Sequence, residues 1–209
     1  MILGIGLAIF LWFLMFAPFT SLTHEIHQHY FWPLMSCSAL ILSTLAFRNL
    51  KTSVWPLLRI NRTFVWIGIG HSIALYGLSR FGVYLMIALF GNPAQQAIGR
   101  IYEIRSQLSV VWIFALIALL IAPAEELVWR GWIQNRLQEK IGQKKAFFLT
   151  ALIYSGIHAW SLNPPLLLAA FVLGLHWGYL FRRFQSIVPG LISHVLWDLA
   201  IFVVFPIPL

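Results

Sequence analysis

Long apolar runs decide what this chain can fold into. About seven of them follow one another, over residues 2–20, 31–47, 64–90, 108–133, 146–160, 166–181 and 187–205. A backbone surrounded by lipid finds no water to satisfy its N–H and C=O groups, so each run has to be helical. The expected fold is therefore an all-α, polytopic transmembrane bundle of seven spans. Two long runs, 64–90 and 108–133, raise the count to eight if one of them breaks. The first run has no basic segment and no small-residue cleavage site, and reads as a retained span.

Composition excludes a soluble domain. Charged residues make up 10% of the 209 and hydrophobic residues 60%, whereas a soluble domain carries roughly 25% charged. The length suits one integral-membrane domain over 1–209. Ten tryptophans fit two membrane interfaces. The lone Cys37 forms no internal disulfide and reads as a small packing residue.

A net charge of +8 points to topology and not to nucleic acid. Arg48, Lys51, Arg59 and Arg62 follow the second run. Arg136, Lys140, Lys144 and Lys145 follow the fourth, and Arg182 and Arg183 the sixth. In a seven-span arrangement these three loops share one side, which the positive-inside rule places in the cytoplasm together with the N-terminus. The opposite side receives His24, Glu25, His27 and His29, the weakly charged stretch 92–107, and the turn 161–165. A chain this small and apolar suits a prokaryotic cytoplasmic membrane, with the lipid bilayer as its surroundings.

Ionisable groups inside spans are costly and mark function. Glu125, Glu126 and Arg130 lie in the fourth run, His158 in the fifth, His194 and Asp198 in the seventh. At about 1.5 Å per residue, Glu125 lies roughly 13 Å from the cytoplasmic edge, His158 roughly 18 Å and His194 roughly 11 Å. Three helices thus bring polar groups to comparable depth. Glu126 and Arg130, four residues apart, can pair on one helix face, while Glu125 sits about 100° round the helix and is free of that partner. Tyr154 and His158 share the i,i+4 relation, as do His194 and Asp198, so Asp198 is expected to orient the His194 ring. Pro123 removes one helical hydrogen bond just before the glutamates. Gly174 and Gly178 form a small-xxx-small pair suited to close helix contact. His71 and His176 read as core histidines bonded to helix carbonyls, and Arg80 as a snorkelling side chain. His24, His27 and His29 have metal-like spacing but read as a solvated loop.

The segment Ala122-Pro123-Ala124-Glu125-Glu126-Leu127-Val128-Trp129-Arg130-Gly131 resembles the Glu-Glu-x-x-x-Arg motif of the CAAX-protease and bacteriocin-processing family. Tyr154-Ser155-Gly156-Ile157-His158 resembles the family's second motif, and His194-Val195-Leu196-Trp197-Asp198 its third. The order and the separate helices match as well, over a core of about 108–205. The resemblance implies an intramembrane endopeptidase of the glutamic type, acting on a membrane-associated peptide or protein. By that analogy Glu125 activates a water that His158 helps to hold, His194 and residue 198 face the oxyanion, and Glu126, Arg130 and Tyr154 support the site. The family's usual Asn is Asp198 here, and an ionised Asp repels an oxyanion. Asp198 is therefore expected either to be protonated or, as the i,i+4 spacing favours, only to orient His194.

No cofactor is expected, because a His-Glu-x-x-His helix is absent from the sequence. Two histidines and a carboxylate keep zinc open as an alternative. A scaffold, chaperone or immunity protein on the same fold is another alternative, and a proton-conducting transporter a third. Ser155 and Ser193 make no convincing nucleophile arrangement. The expected chemistry is peptide hydrolysis in a polar cavity open toward the cytoplasm.

Overall fold

The computed structural model describes residues 2–17 and 21–207, except for the side chains of 21–24, 26 and 52. His24 and the end of the first run, 18–20, fall outside the described side chains and residues. Among the described residues there is no strand. Each apolar run is a helix: α1 Ile2–Phe16, α2 Ser21–Leu50 and α3 Arg62–Phe90. The amphipathic α4 Asn92–Tyr102 follows. Then come α5 Val110–Ile141, α6 Gln143–Ile157, α7 Pro164–Phe184 and α8 Val188–Val204.

Local chemistry sets the breaks. Asn61 caps α3 by accepting from the Phe64 N–H at 2.8 Å, and Gly91 ends it with φ +62°. Asn163 caps α7 by accepting from Leu166 N at 3.1 Å, ahead of Pro164 and Pro165. A helix start is where a side-chain acceptor and a proline cost least. In α2 the backbone leaves helical geometry at Tyr30 (φ −126°, ψ 16°). Pro33 lies three residues on, and its ring crowds the carbonyl four residues before it.

Two features of the chain escaped hydropathy. The weakly charged stretch 92–107 contains α4, which buries Ala94, Ala97 and Ile98 on one face. It is too short and polar to register as a span. The fourth run continues as helix to Ile141, eight residues past the apolar part, because Gln134 to Ile141 are mostly good helix formers.

Four helices are long and apolar enough to cross a membrane: His27–Leu50, Arg62–Phe90, Val110–Ile141 and Pro164–Phe184. Ile2–Phe16 and Val188–Val204 are shorter apolar helices. At about 1.5 Å per residue the 15-residue α1 and α6 reach about 22 Å, short of a hydrocarbon core of about 30 Å. The chain is an integral membrane protein built as an all-α bundle.

Hydrogen bonds sort the loops onto two ends. Arg136 Nη2 donates to the Asn49 carbonyl, Gln138 donates to Gln185, and Ser186 Oγ and Ile187 N both donate to the Leu57 carbonyl. The three basic loops therefore meet at one end. At the other end, Gln107 donates to the His27 carbonyl, Asn163 to that of Ala97, and Tyr76 to that of Phe205. Ten of the fourteen Lys and Arg residues (48, 51, 59, 62, 136, 140, 144, 145, 182 and 183) belong to the first end. The positive-inside rule makes it cytoplasmic.

α5 runs through the middle, with residues 126–134 all buried. Trp132 fills the space over Gly4 of α1, where a Cβ would lie 2.6 Å from the indole ring. α3 leans on α8 through Gly68, whose Cβ would lie 2.6 Å from that of Ile192. Gly68→Val is expected to push α3 off α8 and lower the thermal midpoint in detergent by several degrees, whereas Gly70→Val, at an open position, leaves it unchanged. Equal midpoints for the two variants would show that α3 carries no close contact there.

Two assignments change. Cys37 is exposed on α2 and is not a core packing residue. His71 and His176 bond to each other, Nδ1 to Nε2 at 3.2 Å, and not to helix carbonyls. They pair because α3 and α7 come together there, a tertiary fact without a local signal. Arg80 donates to Tyr76 Oη at 3.3 Å and stays exposed, as a snorkelling side chain does.

Candidate active site

Widened turns shape the helix that carries the two glutamates. α5 is π-helical over Ile117–Ile121 and again over Leu127–Gln134, with an ordinary α-turn, Ala122–Glu126, between them. Pro123 explains the first. Its ring would crowd the carbonyl of Leu119, and a wider turn makes room. α8 widens likewise over Ala200–Val204, directly after Asp198.

Glu125 is half-buried and accepts a hydrogen bond from Tyr154 Oη to Oε2 at 2.9 Å. Glu126 points the other way and is fully buried. Its Oε1 lies 3.1 Å from Arg130 Nη1 and accepts from His194 Nδ1 at 2.9 Å. Its Oε2 has no hydrogen-bond partner and faces Gly190, where a Cβ would lie 3.0 Å away.

Arg130 is 1% exposed. Although Nη1 is within ion-pair distance of Glu126, none of its nitrogens makes a directed hydrogen bond. The guanidinium instead lies over two rings, 5.0 Å from the centroid of Tyr154 and 5.4 Å from that of Trp177. Cation–π attraction strengthens when water is excluded.

His158 sits where α6 tightens into the 3-10 turn His158–Ser161. Its Nδ1 lies 2.8 Å from the Tyr154 carbonyl, which can only accept, so Nδ1 carries the hydrogen. Nε2 is then an acceptor, and Trp12 Nε1 donates to it at 3.3 Å. His194 stacks on Trp177, centroids 3.7 Å apart and planes 16° from parallel. With Nδ1 on Glu126, its Nε2 is 3.5 Å from Asp198 Oδ2. The i,i+4 pairing of His194 with Asp198 exists, but Glu126 is the nearer partner and holds the ring. Sequence spacing linked Glu126 to Arg130 alone because a partner on another helix leaves no local trace.

A cavity of about 750 Å³ joins these groups. Glu125, Tyr154, His158, His194 and Asp198 all line it. Glu126 and Arg130 lie behind that wall as buried support. Trp12, Phe16 and Trp177 also line it and had no motif to announce them. Only the abundance of tryptophan hinted at them. The walls are mainly apolar, and the cavity occupies the end of the bundle away from the basic loops. Residues 98, 100–104 and 161–163 contribute to it, and residues 136–145 do not. The expected polar cavity open toward the cytoplasm is thus corrected on both counts. The short helices α6 and α8 begin at the basic end and deliver their polar residues toward the other.

The hydroxyls near the site are engaged elsewhere. Ser155 Oγ donates to the Leu167 carbonyl at 3.3 Å, and Ser193 Oγ accepts from Trp177 Nε1 at 3.4 Å. Among the described residues no three His, Cys, Asp or Glu side chains converge as a metal-donor set, the trio of His24, His27 and His29 being incompletely described. Gly174 and Gly178 admit close helix contact. A Cβ at 174 would lie 3.2 Å from the Tyr154 ring, and one at 178 would lie 3.1 Å from Gln134 Oε1.

Carboxylates and imidazoles gathered in an intramembrane cavity mark a functional site of a helical membrane protein. Residues 107–200 match the family model described as Rce1-like, type II CAAX prenyl endopeptidase. Over that segment the chain is similar to the CAAX-protease and bacteriocin-processing family. No curated protein and no solved structure shows significant similarity to the chain. That family acts on membrane-associated proteins, and the similarity supports an intramembrane endopeptidase in general.

Proposed function

We propose that the protein is an endopeptidase of the glutamic type, hydrolysing a peptide bond of a membrane-associated substrate with a water activated by Glu125. One observation carries this reading. Glu125, His158, His194 and Asp198, from three helices, line the same cavity, while the serine hydroxyls beside them are turned to other partners.

The water sits against the Glu125 carboxylate, whose other oxygen Tyr154 steadies. His158 holds the water through Nε2, in competition with the 3.3 Å contact from Trp12. Glu125 takes the proton as the water oxygen bonds to the scissile carbonyl carbon. The developing oxyanion accepts from Nε2–H of His194, which requires the doubly protonated ring that the Glu126 carboxylate at Nδ1 and Asp198 at Nε2 favour. The C–N bond then breaks, and Glu125 returns the proton to the leaving amine. Glu126 and Arg130 act on the chemistry only through His194. The membrane is the cytoplasmic membrane of a prokaryote, with the basic loops inside.

The test is cleavage of single-span peptides by the purified protein in detergent and ¹⁸O-labelled water, with and without chelator. Incorporation of label into the new C-terminus, without trapping of an acyl-enzyme by hydroxylamine and without loss of activity to chelator, is the expected result. Loss to chelator that zinc restores would make it a metalloprotease. A cellular function that persists in a protein unable to cut any peptide would make it a scaffold.

A further inference from the structure

The first helix reaches the site although it lies outside the segment, 107–200, that matches the family model. Gly4, Ala8, Leu11, Trp12 and Met15 form the buried face of α1. Gly4 lies against Trp132, so the start of α1 is held to α5. Trp12, farther along the same face, is 2% exposed and lines the cavity. Its Nε1 donates to His158 Nε2 at 3.3 Å, and the two rings meet edge-on at 76°. His158 has no second acceptor to offer. Its Nδ1 carries the hydrogen given to the Tyr154 carbonyl, so Nε2 holds the free lone pair of the ring. The indole occupies that lone pair. A water beside Glu125 therefore cannot be held by His158 while Trp12 stays where it is.

An indole N–H in a mainly apolar space is costly to leave unpaired, so Trp12 releases His158 only to another acceptor. Acyl chains carry none, whereas a peptide backbone brings a carbonyl at every residue. We propose that Trp12 is a substrate-binding residue whose indole N–H passes from His158 Nε2 to a backbone carbonyl of the bound peptide. His158 is thereby opened to the water only when a peptide is present. No proton changes atom in this exchange: Nε1 keeps its hydrogen, and one acceptor replaces another. The indole is the partner that moves. The His158 ring is tied by its bond to the Tyr154 carbonyl and packed between Phe16 and Tyr154, with centroids 5.7 and 5.1 Å away. The accepting carbonyl is not the scissile one, whose oxygen goes to His194. The contact with the peptide stands apart from the peptidase reading; the seating of the water rests on it. Trp12 thus separates peptides from acyl chains of similar bulk, which the apolar walls alone do not.

The exchange can be followed without any cleavage. In the full-length Glu125→Gln protein, where hydrolysis is suppressed, the indole ¹⁵N–H resonance of Trp12 is identified by its absence from Trp12→Phe. A short leucine peptide, acetylated and amidated, is expected to shift that resonance, and hexadecane to leave it in place. A resonance that moves with neither probe, or equally with both, overturns the proposal. For a single-span peptide that the wild type cuts, Trp12→Phe is expected to raise KM roughly three- to tenfold with kcat unchanged, the worth of one hydrogen bond between neutral groups. Should Trp12→Phe also lower the thermal midpoint, the indole is replaced by benzothiophene, which keeps both fused rings and has sulfur in place of the N–H. The same rise in KM is then expected at the wild-type midpoint. An unchanged KM in that protein, or a fall in kcat with KM held, makes Trp12 a packing residue and overturns the exchange. A peptide-specific shift in a protein that cuts nothing would leave Trp12 as a peptide-binding residue and remove the peptidase reading.

Discussion

Glu125→Gln is expected to fold as the wild type does and to lose hydrolysis by about 10²–10⁴-fold, the usual worth of a positioned general base. The substitution keeps the size of the side chain and an oxygen that accepts from Tyr154 Oη, now 2.9 Å from Oε2. What it removes is the capacity to take a proton from water. Glu125 is half-buried on the cavity wall and carries no ion pair, so no other charge is left uncompensated by the change. The thermal midpoint in detergent is therefore expected to stay within the spread of repeated measurements while kcat falls and substrate binding holds. A fall in both midpoint and activity would instead make Glu125 a structural carboxylate. An unchanged kcat would remove it from the chemistry. Tyr154→Phe isolates the supporting hydrogen bond, and a smaller fall in kcat is expected because the base itself remains.

Much of this site was readable from residue order, for a reason particular to its chemistry. Glu125 and Glu126 on one helix, His158 on a second and His194 on a third stand out because charge inside an apolar run has no other ready explanation. The i,i+4 relation also gave the Glu126–Arg130 pair correctly, at 3.1 Å. It fell short at His194. The nearer partner of that ring is Glu126, 68 positions away, and not Asp198 four positions on. Helical periodicity reports which residues share a face, but not which faces meet. Trp12 escaped for the same reason. It lies in a run without any motif and reaches His158 across 146 positions. The end of the bundle that holds the cavity was also invisible, since it follows from which halves of the helices line it. Hydropathy placed a helix in every apolar run yet missed α4, whose burial is confined to one face of a short, polar helix.

Glu126→Ala should be the most damaging single change to the fold. Among the described residues Glu126 is the one carboxylate buried behind the cavity wall, and two cationic or proton-donating groups converge on its Oε1: Arg130 Nη1 at 3.1 Å and His194 Nδ1 at 2.9 Å. Removing it leaves the 1%-exposed Arg130, already without a directed hydrogen bond, as an uncompensated buried charge. Breaking a buried pair from one side costs about 3–5 kcal/mol. Arg130→Met alone strands Glu126 in the same way, although His194 still donates to it. The double variant Glu126→Gln with Arg130→Met removes both charges while keeping an oxygen for His194 Nδ1. It is expected to be clearly more stable than the sum of its two single changes, because the desolvation cost of the pair disappears together with its attraction. Activity should separate from stability here. The double variant regains the fold, and its His194 keeps a partner at Nδ1, so it is expected to recover part of kcat where Glu126→Ala recovers none. Additive stabilities across the cycle would mean that Arg130 is held by the rings of Tyr154 and Trp177, 5.0 and 5.4 Å away, and not by Glu126. The buried ion pair would then orient His194 without holding the helices together.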